Sequence, residues 1–150
     1  MISEEVSLRI TSDADLVTAR AEARALANAL GFSRTDATLI ATAVSEIARN
    51  IIVHAGGGEM EMTPLESDTR YGLRVVASDH GPGMRDAAAA LADGYAGRGG
   101  LGLGLPGVRR LVDEFAIETQ LDEGTTVTMI KWRIRDELER LRERRHDTRR

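Results

Sequence analysis

The length, composition and charge of the chain restrict what it can be. Its 150 residues are enough for one domain with a real hydrophobic core, and 29% charged residues is typical of a globular chain. A net charge of −4 gives no general attraction to nucleic acid, and the lack of cysteine excludes a disulfide framework and a thiolate metal site. No apolar run approaches membrane-spanning length. We therefore expect a cytoplasmic protein that binds neither nucleic acid nor a membrane.

The first part of the chain has the pattern of one strand followed by two helices. Residues 4–10 alternate between polar and apolar, as a strand does. The next stretch has helical periodicity, and Gly31 lies just past its end. A second helical stretch begins at a cap provided by Ser33 or Thr35 and is stopped by Gly56–Gly58.

The second part of the chain predicts two pairs of strands around one more helix. The first pair lies at 59–66 and 71–79, with a polar turn between its members. A helix begins near Pro106, and residues 116–122 and 125–134 have the pattern of a closing hairpin. This order predicts an α+β sandwich, with helices on one face of a mixed or antiparallel sheet.

A glycine-rich stretch precedes the last helix. Six glycines occupy the eleven positions from Gly97 to Gly107. Backbone without Cβ atoms can approach a ligand closely, and its N–H groups can converge on an anion, as can those of the helix start that follows. A flexible linker or a tight packing turn is the alternative, but Leu101, Leu103 and Leu105 favour burial. The stretch therefore predicts a phosphate-binding site.

A carboxylate follows the strand at 71–79. Asp79 ends an apolar run and is followed by a Gly-Pro-Gly sequence. A carboxylate fixed at a strand end can accept a hydrogen bond from an exocyclic amine such as adenine N6, while Gly81 and Gly83 let a flat base lie against the backbone. Taken alone, the same sequence is also compatible with an ordinary turn.

Glu46 and Asn50 are four residues apart in the second helix and therefore share a face. A carboxylate and a carboxamide side by side can orient a hydroxyl group or a water, and can complete the shell of a hard cation such as Mg²⁺. Taken alone, the pair is also compatible with a solvated helix face.

In this order and spacing, the three stretches resemble the GHKL superfamily, whose members share the Bergerat ATP-binding fold. "SEIARN" resembles the N box, "DHGPGM" the first glycine box, "GGLGLGLP" the second, and "GTTV" the final strand with its threonine. The resemblance implies a two-layer sandwich with a mixed β-sheet and helices on one face. It also implies an ATP-binding kinase domain, which we place at residues 1–135. The charged tail at 136–150 lies beyond the resemblance, and we expect it to be helical.

The resemblance further implies roles for individual residues. Glu46 would act as the general base or orient the substrate hydroxyl, Asn50 would bind Mg²⁺, Asp79 would select adenine, and Thr125 would support the adenine through its hydroxyl. Arg98 would either reach the γ-phosphate or remain a solvated charge. The remaining positions expected to contact ATP are largely backbone positions: Gly81, Gly83, Arg98, Gly100, Leu101, Gly102, Leu103 and Gly104.

Within the superfamily, the chain is most similar to the stand-alone serine/threonine switch kinases of bacterial partner-switching (stressosome) pathways. Gyrase-like, Hsp90-like and mismatch-repair members need further domains, and sensor histidine kinases place a phosphoacceptor helix before the ATP domain. The similarity implies Mg-ATP-dependent phosphorylation of a STAS-domain antagonist protein, with activation of a downstream PP2C-type phosphatase after release. Two alternatives remain: an anti-sigma factor of the related branch, and an ATP-binding protein without kinase activity.

The tail from Asp136 is rich in arginine and glutamate. Ile134, Leu138 and Leu141 form a thin apolar stripe at helical spacing. The tail is either a solvated helical extension or a contact for an acidic face of a partner. Trp132, late in the last strand, is expected in the core.

Overall fold

A five-stranded sheet is the frame of the structure. The structure is a computed structural model that describes residues 4–84, 104–136, 138, 139, 141 and 142. The strands in these residues are β1 (Val6–Ile10), β2 (Gly58–Glu66), β3 (Arg70–Asp79), β4 (Glu114–Gln120) and β5 (Gly124–Ile134). They lie in the order β1-β2-β3-β5-β4, and each neighbouring pair is antiparallel.

Helices cover one face of this sheet. In the described residues they are α1 (Asp13–Ala29), α2 (Arg34–Ala55) and α3 (Gly104–Leu111). Serine caps begin the two long helices: Ser12 Oγ accepts from the amide of Asp15 at 3.3 Å, and Ser33 Oγ accepts from the amide of Asp36 at 3.0 Å. Gly56 ends α2 with a φ of 74°. None of these described helices combines the length and the apolar character that crossing a bilayer requires.

The chain connections explain why the described sheet is antiparallel. α1 packs on α2 as a helical hairpin, so the chain returns to the sheet beside the point where it left, and Ile10 pairs with Gly58. The connection through α3 makes β4 parallel to β3 in direction, but β5 lies between them and pairs with both. The predicted α+β sandwich is confirmed. Its sheet is antiparallel in every described pair, where the resemblance implied a mixed one.

The core fills the space between the helices and the inner face of the sheet. Met60 and Met62 of β2, Val75 of β3 and Met129 of β5 are buried and face the helices. Aliphatic and methionine side chains fill this interior, as the low aromatic content of 3% requires. α2 contributes the longest buried face, which consists of Ala37, Ile40, Ala41, Ala43, Val44, Ile47, Ala48 and Ile51.

Trp132 lies on the outer face of the sheet and is half-buried, so the expectation of a core tryptophan is wrong. Along β5 the buried apolar side chains are Val127 and Met129, and strand alternation places residue 132 on the opposite face. The guanidinium carbon of Arg70 lies 3.7 Å from the centroid of the Trp132 ring, and the indole N–H donates to Glu114. This outer position is stabilised by a cation–π contact in place of core packing.

Arg133, near the end of β5, ties three parts of the chain together. Its Nε donates to the carbonyl oxygen of Leu30, just past α1, at 2.6 Å. Its two terminal nitrogens donate to the two carboxylate oxygens of Glu139 at 2.8 and 2.6 Å. Asp136 and Glu139 cap each other's amides, at 2.7 and 3.3 Å, in the pattern of a capping box. The start of the tail is therefore held against the domain.

The predicted apolar stripe of the tail is exposed. The relative exposures of Ile134, Leu138 and Leu141 are 73%, 56% and 47%. The described tail residues after Asp136 are helical, whereas Ile134, the first member of the stripe, ends strand β5 and does not belong to this helix. The division into a domain at 1–135 and a tail at 136–150 stays a prediction.

The Arg133–Glu139 pair predicts a pH-dependent contribution to stability. The hydrogen bonds from Arg133 lower the pKa of Glu139 from its ordinary value of 4.5 to about 2. A carboxyl group with a lowered pKa stabilises the folded state above its ordinary value and loses this contribution as the pH falls through the lowered one. We expect Glu139→Gln to lower the free energy of unfolding at about pH 6, and the difference from wild type to shrink towards about pH 2.

Urea denaturation of wild type and Glu139→Gln over this pH range measures that difference. Glu118→Gln is the matched control, because Glu118 is an exposed carboxylate on β4. A loss of stability in Glu139→Gln that is the same at every pH would contradict a role for the Glu139 charge.

Candidate functional site

The end of β3 provides a carboxylate that is fixed by two backbone amides. Asp79, the last residue of β3, is half-buried. Its Oδ1 accepts hydrogen bonds from the amide of Gly81 at 2.9 Å and from the amide of Thr125, on β5, at 3.2 Å. Within the described residues, no group donates to the other oxygen, Oδ2. The carboxylate is therefore held in one orientation, with one oxygen left for a ligand.

Glycines let the backbone segments around Asp79 pack directly on one another. A Cβ at Gly124, which has a φ of 124°, would lie 2.0 Å from the carbonyl oxygen of Asp79. A Cβ at Gly83, which has a φ of 75°, would lie 2.2 Å from the carbonyl oxygen of Gln120. A Cβ at Gly81 would lie 2.6 Å from the Cβ of the last residue of α2. Larger residues at these positions would push the segments apart.

The C-terminal half of α2 lies beside this strand end. A Cβ at Gly58 would be 2.9 Å from Ile51 Cγ2 and 3.2 Å from Asp79 Cβ, so the turn of α2 that contains Ile51 is close to Asp79. Glu46 and Asn50 lie one turn apart on α2 and are both half-buried. The structure therefore places the carboxylate and carboxamide of α2 on the half of the helix that approaches the end of β3.

Two threonine hydroxyls lie together in the hairpin of β4 and β5, and one of them belongs to Thr125, whose amide donates to Asp79. Thr119 and Thr125 are register partners, and their Oγ1 atoms are 2.9 Å apart. Thr125 is only 8% exposed, and Thr119 Oγ1 also accepts from the amide of Met84 at 2.9 Å. Thr119 is not among the residues predicted from the sequence. The signal that could have found it is the pairing of the hairpin, which places a second hydroxyl opposite Thr125.

The start of α3 lies at Gly104, which is buried and has a φ of 60°. This is two residues before Pro106, which occupies the first turn. Leu105 and Val108 belong to the core, and α3 packs on α2. Five residues predicted to contact the phosphates lie outside the described residues: Arg98, Gly100, Leu101, Gly102 and Leu103.

The polar groups of this region include oxygen atoms that can contact a metal ion or accept hydrogen bonds. The described residues contain no group of three or more His, Cys, Asp or Glu side chains that could hold a metal ion. Mg²⁺ commonly keeps several waters and takes one or two protein oxygens together with substrate phosphates. The carboxamide oxygen of Asn50 is a donor of that kind, and Asp79 Oδ2 is an acceptor for an amine.

The class of the protein follows from a comparison with known families. Residues 10–131 match the histidine kinase-like ATPase domain. The chain belongs to this family, so the resemblance to the GHKL superfamily is confirmed. A domain of this family binds ATP.

Two relatives define its position more closely. The chain is 41% identical over 131 residues to the serine/threonine-protein kinase RsbT of Bacillus subtilis (strain 168), which covers 87% of this chain and 98% of that kinase. The structure of this chain is similar to the crystal structure of the RsbU and RsbW domains of Rv1364c from Mycobacterium tuberculosis, with a TM-score of 0.58 and 22% identity. That match covers 88% of this chain and 33% of the other, and at this identity it concerns the fold alone.

Gly124→Ala is expected to disturb the packing that fixes Asp79. The new Cβ would meet the backbone of Asp79, which has no flexible end that can move aside. Gly56→Ala is the matched control, because Gly56 also has a positive φ but has nothing within 4 Å of a Cβ. We expect Gly124→Ala to lower the free energy of unfolding by about 1–3 kcal/mol more than Gly56→Ala. Urea unfolding of the two variants measures this, and equal losses would show that the close contact has no energetic weight.

Proposed function

We propose that the chain is an Mg²⁺- and ATP-dependent serine/threonine protein kinase of a bacterial partner-switching pathway. It phosphorylates a STAS-domain antagonist protein and, after release, activates a downstream PP2C-type phosphatase. The observation that supports this most is the fixed orientation of Asp79, which leaves Oδ2 open beside glycine backbone. The identity of 41% to a serine/threonine-protein kinase, over almost the whole length of that kinase, supports the choice of reaction.

Asp79 suits adenine because its second carboxylate oxygen, Oδ2, is a hydrogen-bond acceptor. A carboxylate only accepts hydrogen bonds, and the exocyclic N6 amine of adenine only donates them. Guanine has a carbonyl oxygen at the corresponding position, which would bring two acceptors face to face. Gly81 and Gly83 let the loop after β3 pack closely on α2 and on the turn after β4, which shapes the edge of the proposed adenine site. The Thr125 amide donates to Asp79, and the hydroxyl of the same residue is proposed to support the adenine.

Asn50 is the proposed protein ligand of Mg²⁺. Its carboxamide oxygen is a hard, neutral donor on the turn of α2 that approaches the end of β3. Bound Mg²⁺ would neutralise charge that develops on the phosphates during transfer. The buried N-terminus of α3 at Gly104, together with the predicted positions before it, is proposed to hold the phosphates through backbone N–H groups.

Glu46 is the proposed general base. Its carboxylate accepts the proton of a serine or threonine hydroxyl on the substrate protein, and the hydroxyl oxygen forms a bond to the γ-phosphorus while the bond to ADP breaks. Because Glu46 lies one helical turn before Asn50, the attacking hydroxyl would be held next to the phosphate that the metal ion contacts.

The kinase is favoured over the two alternatives. An ATP-binding protein without activity has no need of the Glu46–Asn50 pair, which is intact in this chain. The anti-sigma factor has less support, because the relative that shares 41% identity is itself a protein kinase. The proposal includes a cytoplasmic location, where ATP is available.

Two substitutions on α2 separate the chemical step from nucleotide binding. Glu46→Gln is expected to keep Mg-ATP binding and to lower the rate of phosphate transfer at least about 100-fold, because the base is lost. Asn50→Ala is expected to weaken binding of Mg-ATP, and less so of ATP without the metal ion. Transfer of labelled γ-phosphate to the STAS-domain protein of the same organism, with calorimetric titration of ATP, measures both effects.

Glu22→Gln is the control, because Glu22 is a half-buried carboxylate on α1. Transfer by Glu46→Gln at the wild-type rate would contradict the base role. Wild-type protein that binds Mg-ATP but transfers no phosphate to any STAS-domain protein of its host would favour the alternative without kinase activity.

A further inference from the structure

A partly buried hydrogen-bond chain begins at Thr119, a residue with no role in the proposed chemistry. Thr119 Oγ1 lies 2.9 Å from the amide nitrogen of Met84 and 2.9 Å from Thr125 Oγ1. It also lies 3.3 Å from the carbonyl oxygen of Gly124. Thr119 is half-buried and Thr125 is buried. These few groups are therefore the protein partners among which the two hydroxyl protons are shared.

Counting donors and acceptors limits how the protons can be arranged. A hydroxyl group has one proton and two lone pairs, and the Met84 amide, which can only donate, occupies one lone pair of Thr119. The Thr119 proton then goes to the Gly124 carbonyl at 3.3 Å or to Thr125 Oγ1 at 2.9 Å. The first distance is longer than the usual range for O–H···O bonds, so little is lost when Thr119 donates to Thr125 instead.

We propose that Thr119 is a positioning residue that determines the specificity of the site for adenine. When Thr119 donates to Thr125, the Thr125 hydroxyl accepts that hydrogen bond and keeps its own proton. It can then donate this proton to the ligand. Adenine has a hydrogen-bond acceptor, N1, beside the N6 amine that would donate to Asp79. Guanine has an N1–H donor at the same place. Thr119 thus acts through Thr125, because it leaves the Thr125 hydroxyl to donate to N1 of adenine, directly or through one water.

This inference rests on the proposed function, because it requires the base to lie at Asp79. To the proposed function it adds the direction of the hydrogen bond between Thr119 and Thr125. Asp79 distinguishes the exocyclic group of the purine, and the Thr119–Thr125 pair distinguishes the protonation of its ring nitrogen. The Met84 amide is the fixed end of the chain, since an amide nitrogen never accepts the hydroxyl proton in return.

Binding of ATP and of 1-deaza-ATP, in which a C–H replaces N1, tests the proposal. Wild type is expected to bind ATP about tenfold more tightly than 1-deaza-ATP, the difference made by one hydrogen bond. Thr119→Val is expected to weaken the binding of ATP about tenfold and to leave the binding of 1-deaza-ATP nearly unchanged. The preference for ATP then disappears. Thr119→Ser, which keeps the hydroxyl, is expected to restore it.

Thr128→Val is the matched control, because Thr128 alternates with buried Val127 and Met129 and lies on the outer face of β5. If the role of Thr119 were merely structural, Thr119→Val would weaken the binding of both nucleotides equally. If Thr119→Val does not unfold cooperatively, Thr119→Ala takes its place.

The outcomes distinguish the two proposals. Wild type that binds neither nucleotide would overturn the proposed function and this inference together. Wild type that binds ATP and 1-deaza-ATP equally, or a folded Thr119→Val that keeps the preference for ATP, would overturn this inference alone.

Discussion

The hydrogen bonds that two backbone amides donate to Asp79 Oδ1 are the constraint around which the site is arranged. One amide is that of Gly81, in the loop that follows β3, and the other is that of Thr125, near the start of β5. Two segments therefore donate to one oxygen at the end of a third, β3. Rotation of the side chain would break both bonds, and a net contribution of about 1 kcal/mol from each opposes it. Oδ2 is therefore presented in a fixed direction before any ligand arrives, and no ordering cost is left for the moment of binding.

The register of the sheet produces this arrangement. Ser78 pairs with Thr126, so the end of β3 and the start of β5 meet, and Thr119 pairs with Thr125 across the hairpin. The tail contact and the proposed nucleotide site lie far apart along β5. Thr125 is a residue of the proposed site, and Arg133, which holds α1 and the tail, is eight residues further on. At about 3.4 Å per residue this is a distance of roughly 27 Å. We therefore expect changes at the tail contact to alter stability without reaching the proposed site.

The elements with strong local signals could be predicted from the sequence. The two long helices have regular periodicity, serine caps and glycine stops, and α1 and α2 lie where these signals place them. Asp79 and the glycines after it could be picked out because a polar group at the end of an apolar strand is conspicuous. The structure brings Asp79, Gly81 and Thr125 together, while the roles of these residues stay proposals.

What the sequence could not predict depends on contacts between distant residues. The position of β5 between β3 and β4 is a long-range pairing, and without it a mixed sheet is as plausible. The outer position of Trp132 is hidden in the sequence, because its charged neighbours Lys131 and Arg133 make Trp132 look like the inward-facing residue of the alternation. Thr119 gains its importance only from its partner across the hairpin, and Glu139 only from Arg133. None of these pairings leaves a signal in a single local stretch.

The role of Asp79 is tested most directly by a ligand that lacks only the group Asp79 is proposed to bind. Purine riboside triphosphate is ATP without the N6 amine. Calorimetric titration of wild type is expected to show about tenfold tighter binding of ATP, and this preference is expected to vanish in Asp79→Asn but not in Asp68→Asn, a change in an exposed turn. Equal binding of the two nucleotides by wild type would contradict the central claim that the free oxygen of Asp79 recognises adenine.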